Sequence, residues 1–215
     1  KRQFSQLEKQ NKVLIVPGGV DILRISKYLS THIPPRNRKY LATFQGRFHP
    51  QKGVSELIDI WKLITKQCPS AKLAMIGDGP LMPEVKDKIR KLGLEKNIDL
   101  FGYLHNGTKK YSIFQNSKIV VHPAFYDSGG MASAEAMAFG MPCIGFDLKS
   151  YRFYYPKGMV KVPIGNYQAF SEAILKLENN KKEYLKISKA AKEMIFKEWS
   201  WDERTKKLFA DITHL

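Results

Sequence analysis

The feature that most constrains this chain is a rhythm. From Tyr40 onward, short apolar runs bounded by glycine or proline alternate with amphipathic stretches of helical period. "YLATFQGR" reads as a strand running into a glycine. "GVSELIDIWKLITKQCP" then places Val54, Leu57, Ile58, Trp61 and Ile64 at helical spacing and stops at Pro69. "AKLAMIG" predicts the next strand, broken by "DGP", and "LMPEVKDKIRKLGL" a helix ended by Gly93. The alternation continues with "NIDLFG", "KIVVHP", "PCIGF" and "MVKVP" as strands and "TKKYSIFQNS" and "MASAEAMAFG" as helices. Strands and helices alternating at these lengths predict an α/β fold, a Rossmann-like doubly wound parallel sheet covered on both faces.

The flanks read differently. "VLIVPGGVD" predicts a short strand ended by a Pro-Gly-Gly turn, and "SKYLSTHIPPRNRKY", polar and broken by prolines, a linker. Two further helices, "YQAFSEAILKLENN" and "KKEYLKISKAAKEMIFKEW", follow the last strand, and "SWDERTKKLFADITHL" predicts a separate helix with Ser200 or Asp202 near its cap. The expected organisation is therefore a strand and linker over 1–39, the sheet domain over 40–199 and a C-terminal helix over 200–215. Such a domain is of ordinary size, and 43% hydrophobic residues are ample for its core.

The net charge of +16, from 36 Lys+Arg against 20 Asp+Glu, calls for an anionic partner: nucleic acid, an anionic membrane surface or a phosphorylated ligand. The charges fall in short clusters, at Arg36, Arg38 and Lys39, at Lys86, Lys88, Arg90 and Lys91, at Lys109 and Lys110, and at Lys181 and Lys182. The plain reading of such clusters is solvated helix faces. A nucleic-acid-binding domain calls for one continuous basic face with interleaved aromatics, whereas these lysines lie on several helices, so no nucleic acid is expected. Cys68 and Cys143 have neither metal-ligand nor disulfide spacing, which suits a reducing, cytoplasmic compartment and predicts no metal. No apolar run reaches the roughly 18–20 residues of a spanning helix. A chain opening on Lys1 reads as a fragment or a processed product.

In doubly wound sheets ligands bind beyond the carboxyl ends of the strands. Three loops there are rich in glycine: "QGRFHPQKG", "GDGP" and "YDSGGM". Glycine lets a backbone approach a ligand closely, and a helix N-terminus offers unpaired N–H groups to an anion. Arg47 and Lys52, in the first loop, supply two cations suited to a diphosphate. Any one loop reads equally as a bare turn; the three together read as a site. None matches the Gly-Lys-Ser/Thr phosphate loop or the Gly-x-Gly-x-x-Gly fingerprint. In "HPAFYDSGGMASAEAMAFGMPCIGFD", Glu135 stands among alanines, where packing does not call for a carboxylate.

Taken in order, "FQGRFHPQKGVSELIDIW", "KLAMIGDGP", "IDLFGYL" and "IVVHPAFYDSGGMASAEAMAFGMPCIGFD" resemble the C-terminal half of retaining glycosyltransferases of the GT-B fold, glycosyltransferase family 4. The resemblance runs from about Val13 to the C-terminus. "PGGVD" is similar to the family's passage between its two domains, and "WSWDERTKKL" to the last helix, which returns toward the first domain.

The resemblance implies a role for each loop. The family's two glutamates, separated by seven residues, fall on Asp127 and Glu135. Glu135 is then expected to hold the ribose of the donor nucleotide, and Asp127, a shorter carboxylate, to contact the donor sugar or, alternatively, to cap the helix. Arg47 and Lys52 are expected to bind the diphosphate and stabilise its departure, unless they are surface charges. Backbone of Gly130, Met131 and Ala132, with Ser128 and Gly129, is expected to face the sugar and phosphates. Tyr103 and Leu104 are expected to read the base, and Gly46, Gly77, Asp78, Gly79 and Pro80 to line the cleft. The family's glycine-aromatic-glycine is "SGG" here, a departure that bears on donor identity.

The implied activity is hexosyl transfer with retention from a UDP- or GDP-sugar, which is a substrate; no cofactor is implied. The acceptor, a glycan or lipid-linked glycan, is expected to bind an N-terminal domain outside these 215 residues. The chain alone is thus expected to bind donor without efficient transfer, in the cytoplasm and with peripheral contact at the inner membrane face. Two further readings are a non-catalytic donor-binding subunit of a two-chain transferase and another GT-B enzyme, such as an epimerase or phosphorylase. The Asp127 to Glu135 spacing speaks against the second.

Overall fold

The computed structural model describes residues 18–213. Six strands form one sheet of order β3-β2-β1-β4-β5-β6: β1 Tyr40–Gln45, β2 Leu73–Ile76, β3 Ile98–Leu100, β4 Ser117–His122, β5 Cys143–Phe146 and β6 Met159–Val162. Every pairing is parallel, with Ala42 opposite both Leu73 and Ile119. The doubly wound sheet expected from the sequence is therefore the fold.

Successive strand residues face opposite layers. On β2, Leu73 and Met75 enter one core with Trp61, Ile64, Phe170 and Ile174, while Ala74 and Ile76 enter the other with Tyr111, Phe114, Met137 and Trp199. The first layer is built by α2 (Val54–Gln67), α3 (Met82–Lys91) and α7 (Tyr167–Asn179). The second is built by α1 (Ile22–Thr31), α4 (Thr108–Gln115), α5 (Met131–Met137), α6 (Lys149–Tyr154) and α8 (Lys181–Glu198). A last helix, α9, spans Trp201–Thr213.

Two helices depart from the sequence reading. Ser26–Thr31, expected as linker, belongs to α1, which Asp21 caps by accepting the Arg24 N–H at 2.9 Å. Ile25 and Tyr28, one turn apart, are buried against the second layer and supply the stripe that its polar composition masks. Helix α6 is too short for a periodic signal, and Tyr151 alone is its buried anchor. The strand expected over "VLIV" lies outside the described residues.

The chain winds outward from β1 to β3, then crosses back to place β4 beside β1 before winding the other way. Loops leaving β1 and β4 diverge at that reversal and open a crevice. They are nonetheless clamped to each other, because the Phe125 N–H donates to Gln51 O at 2.9 Å. Gly53, which starts α2 with φ +64°, lies so close to Pro123 that a Cβ there would stand 1.9 Å from its carbonyl oxygen.

Gly93 has a similar φ, +66°, and open space around it. Gly93→Ala should therefore cost only the left-handed penalty of about 1–2 kcal/mol. Gly53→Ala should add the overlap with Pro123 and cost roughly 3 kcal/mol or more. Urea midpoints of the two variants test the difference; equal losses would show that the clamp between the loops is not tight.

Candidate active site

At the sheet's reversal lies a cavity of about 450 Å³, lined by Gly18, Gly46, Lys52, His122, Tyr154, Trp199 and the turn Asp127–Ala132. A roomier groove of about 560 Å³ runs between α3 and the β3 edge, where Arg90 and Asp87 pair at the surface. Size alone therefore does not locate the chemistry; convergence of polar groups does.

Asp127 is the centre of that convergence. Its side chain is 7% exposed, and both oxygens are filled. Oδ2 accepts from Lys52 Nζ at 2.6 Å and from His122 Nε2 at 2.9 Å, and Oδ1 accepts the N–H groups of Gly129 and Gly130 at 2.9 and 2.7 Å. The bond to a carboxylate puts the His122 proton on Nε2, and Nδ1 is buried without a partner. Burial alone would raise the pKa of Asp127. The hydrogen bonds from His122, Lys52 and Gly129 outweigh it and hold the carboxyl well below the ordinary carboxylate range. Tyr155 completes the turn by donating to Gly130 O at 2.6 Å, and Ser150 Oγ donates to Asp127 O at 2.7 Å.

Glycines 129 and 130 thus give their N–H groups to Asp127, and Gly130 does not offer its own to a ligand. Met131 and Ala132 open α5 ahead of its first internal bonds, made by Ser133 and Ala134 to Gly130 O, and both line the cavity. Glu135 continues their face of the helix by one turn. Ala134 and Ala136 beside it are fully buried, which lets the short helix lie close to the sheet.

Glu135 is itself held. Lys110 Nζ lies 2.6 Å from its Oε2 and Gln45 Nε2 lies 3.2 Å from the same oxygen. Lys110 is 1% exposed, although its cluster reads from sequence as a solvated face. The overlooked signal is spacing, since Lys110 shares the buried stripe of Ile113 and Phe114 at i, i+3 and i+4. His122 also escaped the list of site residues; its signal is a polar side chain closing an apolar strand at the ligand end of the sheet.

The remaining expected residues lie around this centre. Arg47, exposed, follows Gly46 and makes no side-chain bond among the described residues. Ser128 is exposed on the cavity wall. Gly77 and Gly79 do not line the cavity. They press the β2 loop onto the β1 loop, where a Cβ would stand 1.8 Å from Gly46 O and 2.5 Å from Phe48 O respectively. Asp78 Oδ1 accepts the Gly79 N–H at 2.7 Å, and Pro80 is exposed. Tyr103 is exposed after β3, whereas Leu104 packs on the second core. The cavity's outer wall joins the two ends of the described chain, since Val20 N–H donates to Trp199 O at 2.7 Å and Trp201 N–H to Val20 O at 3.2 Å.

The sequence pattern of "Glycosyl transferases group 1" matches residues 30–194, well over half of the chain. The chain belongs to that family. An uncharacterized glycosyltransferase of Methanocaldococcus jannaschii is 29% identical over 149 residues, 66% of this chain and 35% of the relative. The chain thus spans about a third of that relative's length. The C-terminal domain of a glycosyl transferase group 1 family protein from Francisella tularensis superposes with TM-score 0.67 at 20% identity, over 85% of this chain and all of that one. The pneumococcal O-GlcNAc transferase GtfA, in complex with UDP and GlcNAc, gives TM-score 0.78 at 18% identity, over 99% of this chain and 43% of that one. These likenesses establish the fold of a GT-B C-terminal half, as the family resemblance implied.

Within this family's fold, Asp127 is a staple between the β1 and β4 loops. Asp127→Asn should lose about 2–3 kcal/mol at pH 7, at the low end for a buried pair because Lys52 keeps 23% exposure and can turn to water. A depressed native pKa stabilises the fold above the unfolded value of about 3.9 and ceases to as pH falls through the native value. The gap between parent and variant should therefore stay open at pH 5 and close progressively toward pH 2. Urea midpoints across that range check this, and a gap independent of pH would remove the charge from the explanation.

Proposed function

We propose that this chain is the donor-binding half of a retaining glycosyltransferase that moves a hexosyl group from a UDP- or GDP-sugar. The observation that carries the reading is the convergence, at the β1/β4 reversal, of Lys52, the Asp127–Ala132 turn and, one turn deeper in α5, Glu135. In this reading Glu135 accepts the ribose hydroxyls, and Lys52 and Arg47 meet the diphosphate. Asp127 aims Lys52 and shapes the turn beside the sugar; Tyr103 and Leu104 flank the base. Gly46 and Gly130 to Ala132 bring backbone against the donor, while Gly77 to Gly79 hold the β1 loop in place. The UDP-bound neighbour supports a nucleotide in this fold.

Transfer breaks the bond between the anomeric carbon and the diphosphate oxygen and forms one to an acceptor hydroxyl on the same face. Negative charge grows on the departing phosphate oxygens. Cations fixed before the reaction stabilise that charge more than the ground state. Asp127, itself held by His122, fixes Lys52 in this way. The acceptor, a glycan or lipid-linked glycan, binds an N-terminal domain toward which α9 returns. No described helix is long and apolar enough to cross a membrane. Contact with a cytoplasmic membrane face, if the acceptor is lipid-linked, then rests on basic residues contributing about 1 kcal/mol each near an anionic surface.

Calorimetry with UDP, GDP and their nucleosides tests the reading. One diphosphate should bind far more tightly than its nucleoside, and Arg47→Ala should weaken the diphosphate about 10- to 100-fold while leaving the nucleoside unchanged. Glu135→Gln should weaken both ligands. Glutamine suits this test because Glu135→Ala strands the buried Lys110 ammonium and should cost about 3–5 kcal/mol of stability. Equal binding of diphosphate and nucleoside would refute the diphosphate grip, and Glu135→Gln affinities matching the parent would refute the ribose contact.

A further inference from the structure

The carboxylate that the proposed function assigns to the ribose is held by a buried lysine, 1% exposed. Lys110 reaches from α4 to α5, and its ammonium donates to Glu135 Oε2 and to Asn106 Oδ1 in the loop after β3. Gln45, the last residue of β1, donates to that same Oε2. A carboxylate oxygen has two lone-pair directions, and these two donors take both. Oε1 has no partner among the described residues, nor is it among their sealed, unpaired polar atoms. It is the half of the carboxylate left for a ligand.

An ammonium in this position is expensive. Lys110 packs among aromatic neighbours, 5.9 and 5.8 Å from the ring centroids of Tyr111 and Phe114, and burial lowers its pKa against the opposing pull of Glu135. An apolar side chain would fill the same stripe without the desolvation penalty, so the fold has no packing reason for a lysine here.

We propose that Lys110 is a positioning residue of the nucleotide site: anchored by Asn106, it turns Glu135 so that Oε2 is locked inward and Oε1 faces the cleft. The proposal rests on the nucleotide reading given above and adds a residue that acts through Glu135. Its consequence is that both ribose hydroxyls converge on one oxygen. The other groups facing the pair are Arg24 from α1 and Tyr111 from α4, whose pKa burial pushes up to about 12; Asp21, which caps α1, acts on Tyr111.

The test is calorimetric titration of the 215-residue chain with UDP, GDP and inorganic pyrophosphate at pH 6, 7 and 8.5. The terminal phosphate of a nucleoside diphosphate itself gains charge above about pH 6, so each variant is compared with the parent at the same pH. In Lys110→Met, Glu135 keeps the Gln45 bond but loses its counter-charge, which disfavours the charged carboxylate, so affinity relative to the parent should fall about tenfold or more at pH 6 and recover toward pH 8.5. Pyrophosphate, which has no ribose, should bind parent and variant alike. Should Lys110→Met not fold, the double variant Lys110→Met/Glu135→Gln carries no buried unpaired charge. It should bind the nucleotide as weakly as Glu135→Gln alone. A folded Lys110→Met with parental affinity at every pH overturns the proposal, as does a double variant about tenfold weaker than Glu135→Gln. If the folded parent binds neither nucleotide, the nucleotide reading falls first and the role of Lys110 with it.

Discussion

A carboxylate withdrawn from water must be met by donors, and the way Asp127 is met organises the ligand end of this molecule. One cation comes from the β1 loop, one imidazole from the last residue of β4, and two N–H groups from the turn that follows. No single segment could satisfy the group. The desolvation penalty therefore acts as a constraint between segments far apart in sequence: the loops must close on each other or leave a buried charge unpaired. The Phe125 to Gln51 bond and the contact of Gly53 with Pro123 follow the same closure.

The same logic recurs one turn further along α5. Glu135 lies one turn along α5 from the cavity-lining Met131 and Ala132 and is matched by Lys110 and Gln45, from α4 and β1. The two carboxylates nevertheless end in different states. Asp127 has four donors on two oxygens and is consumed by the scaffold, whereas Glu135 keeps one oxygen without a protein partner among the described residues. The proposed function uses both kinds: one carboxylate that fixes a cation in advance, and one still able to accept hydrogen bonds.

Much of this was legible in the sequence, for definite reasons. Strand residues such as Leu73 to Ile76 are buried on both faces and read as continuous apolar runs, and α2 carries its stripe from Val54 to Ile64 without interruption. Glu135 stood out because alanine neighbours leave a carboxylate no packing role. Helix α1 was missed because its buried stripe is narrow and its other side chains are polar. Lys110 was misread because a lysine beside another lysine looks like solvent-facing charge, and only its register with Ile113 and Phe114 says otherwise.

By itself the sequence determined the parallel doubly wound sheet and the family, since periodicity and glycine placement are local properties that survive without coordinates. The tertiary structure decided what each polar residue is for. Whether Gly77 approaches a ligand or a neighbouring loop, whether Lys52 meets water or Asp127, and whether Lys110 meets water or Glu135 all depend on groups brought together from 25 to 75 residues away. Hydrogen bonds and ion pairs act over a few ångströms in space, and a linear pattern carries no measure of that distance until the sheet has folded.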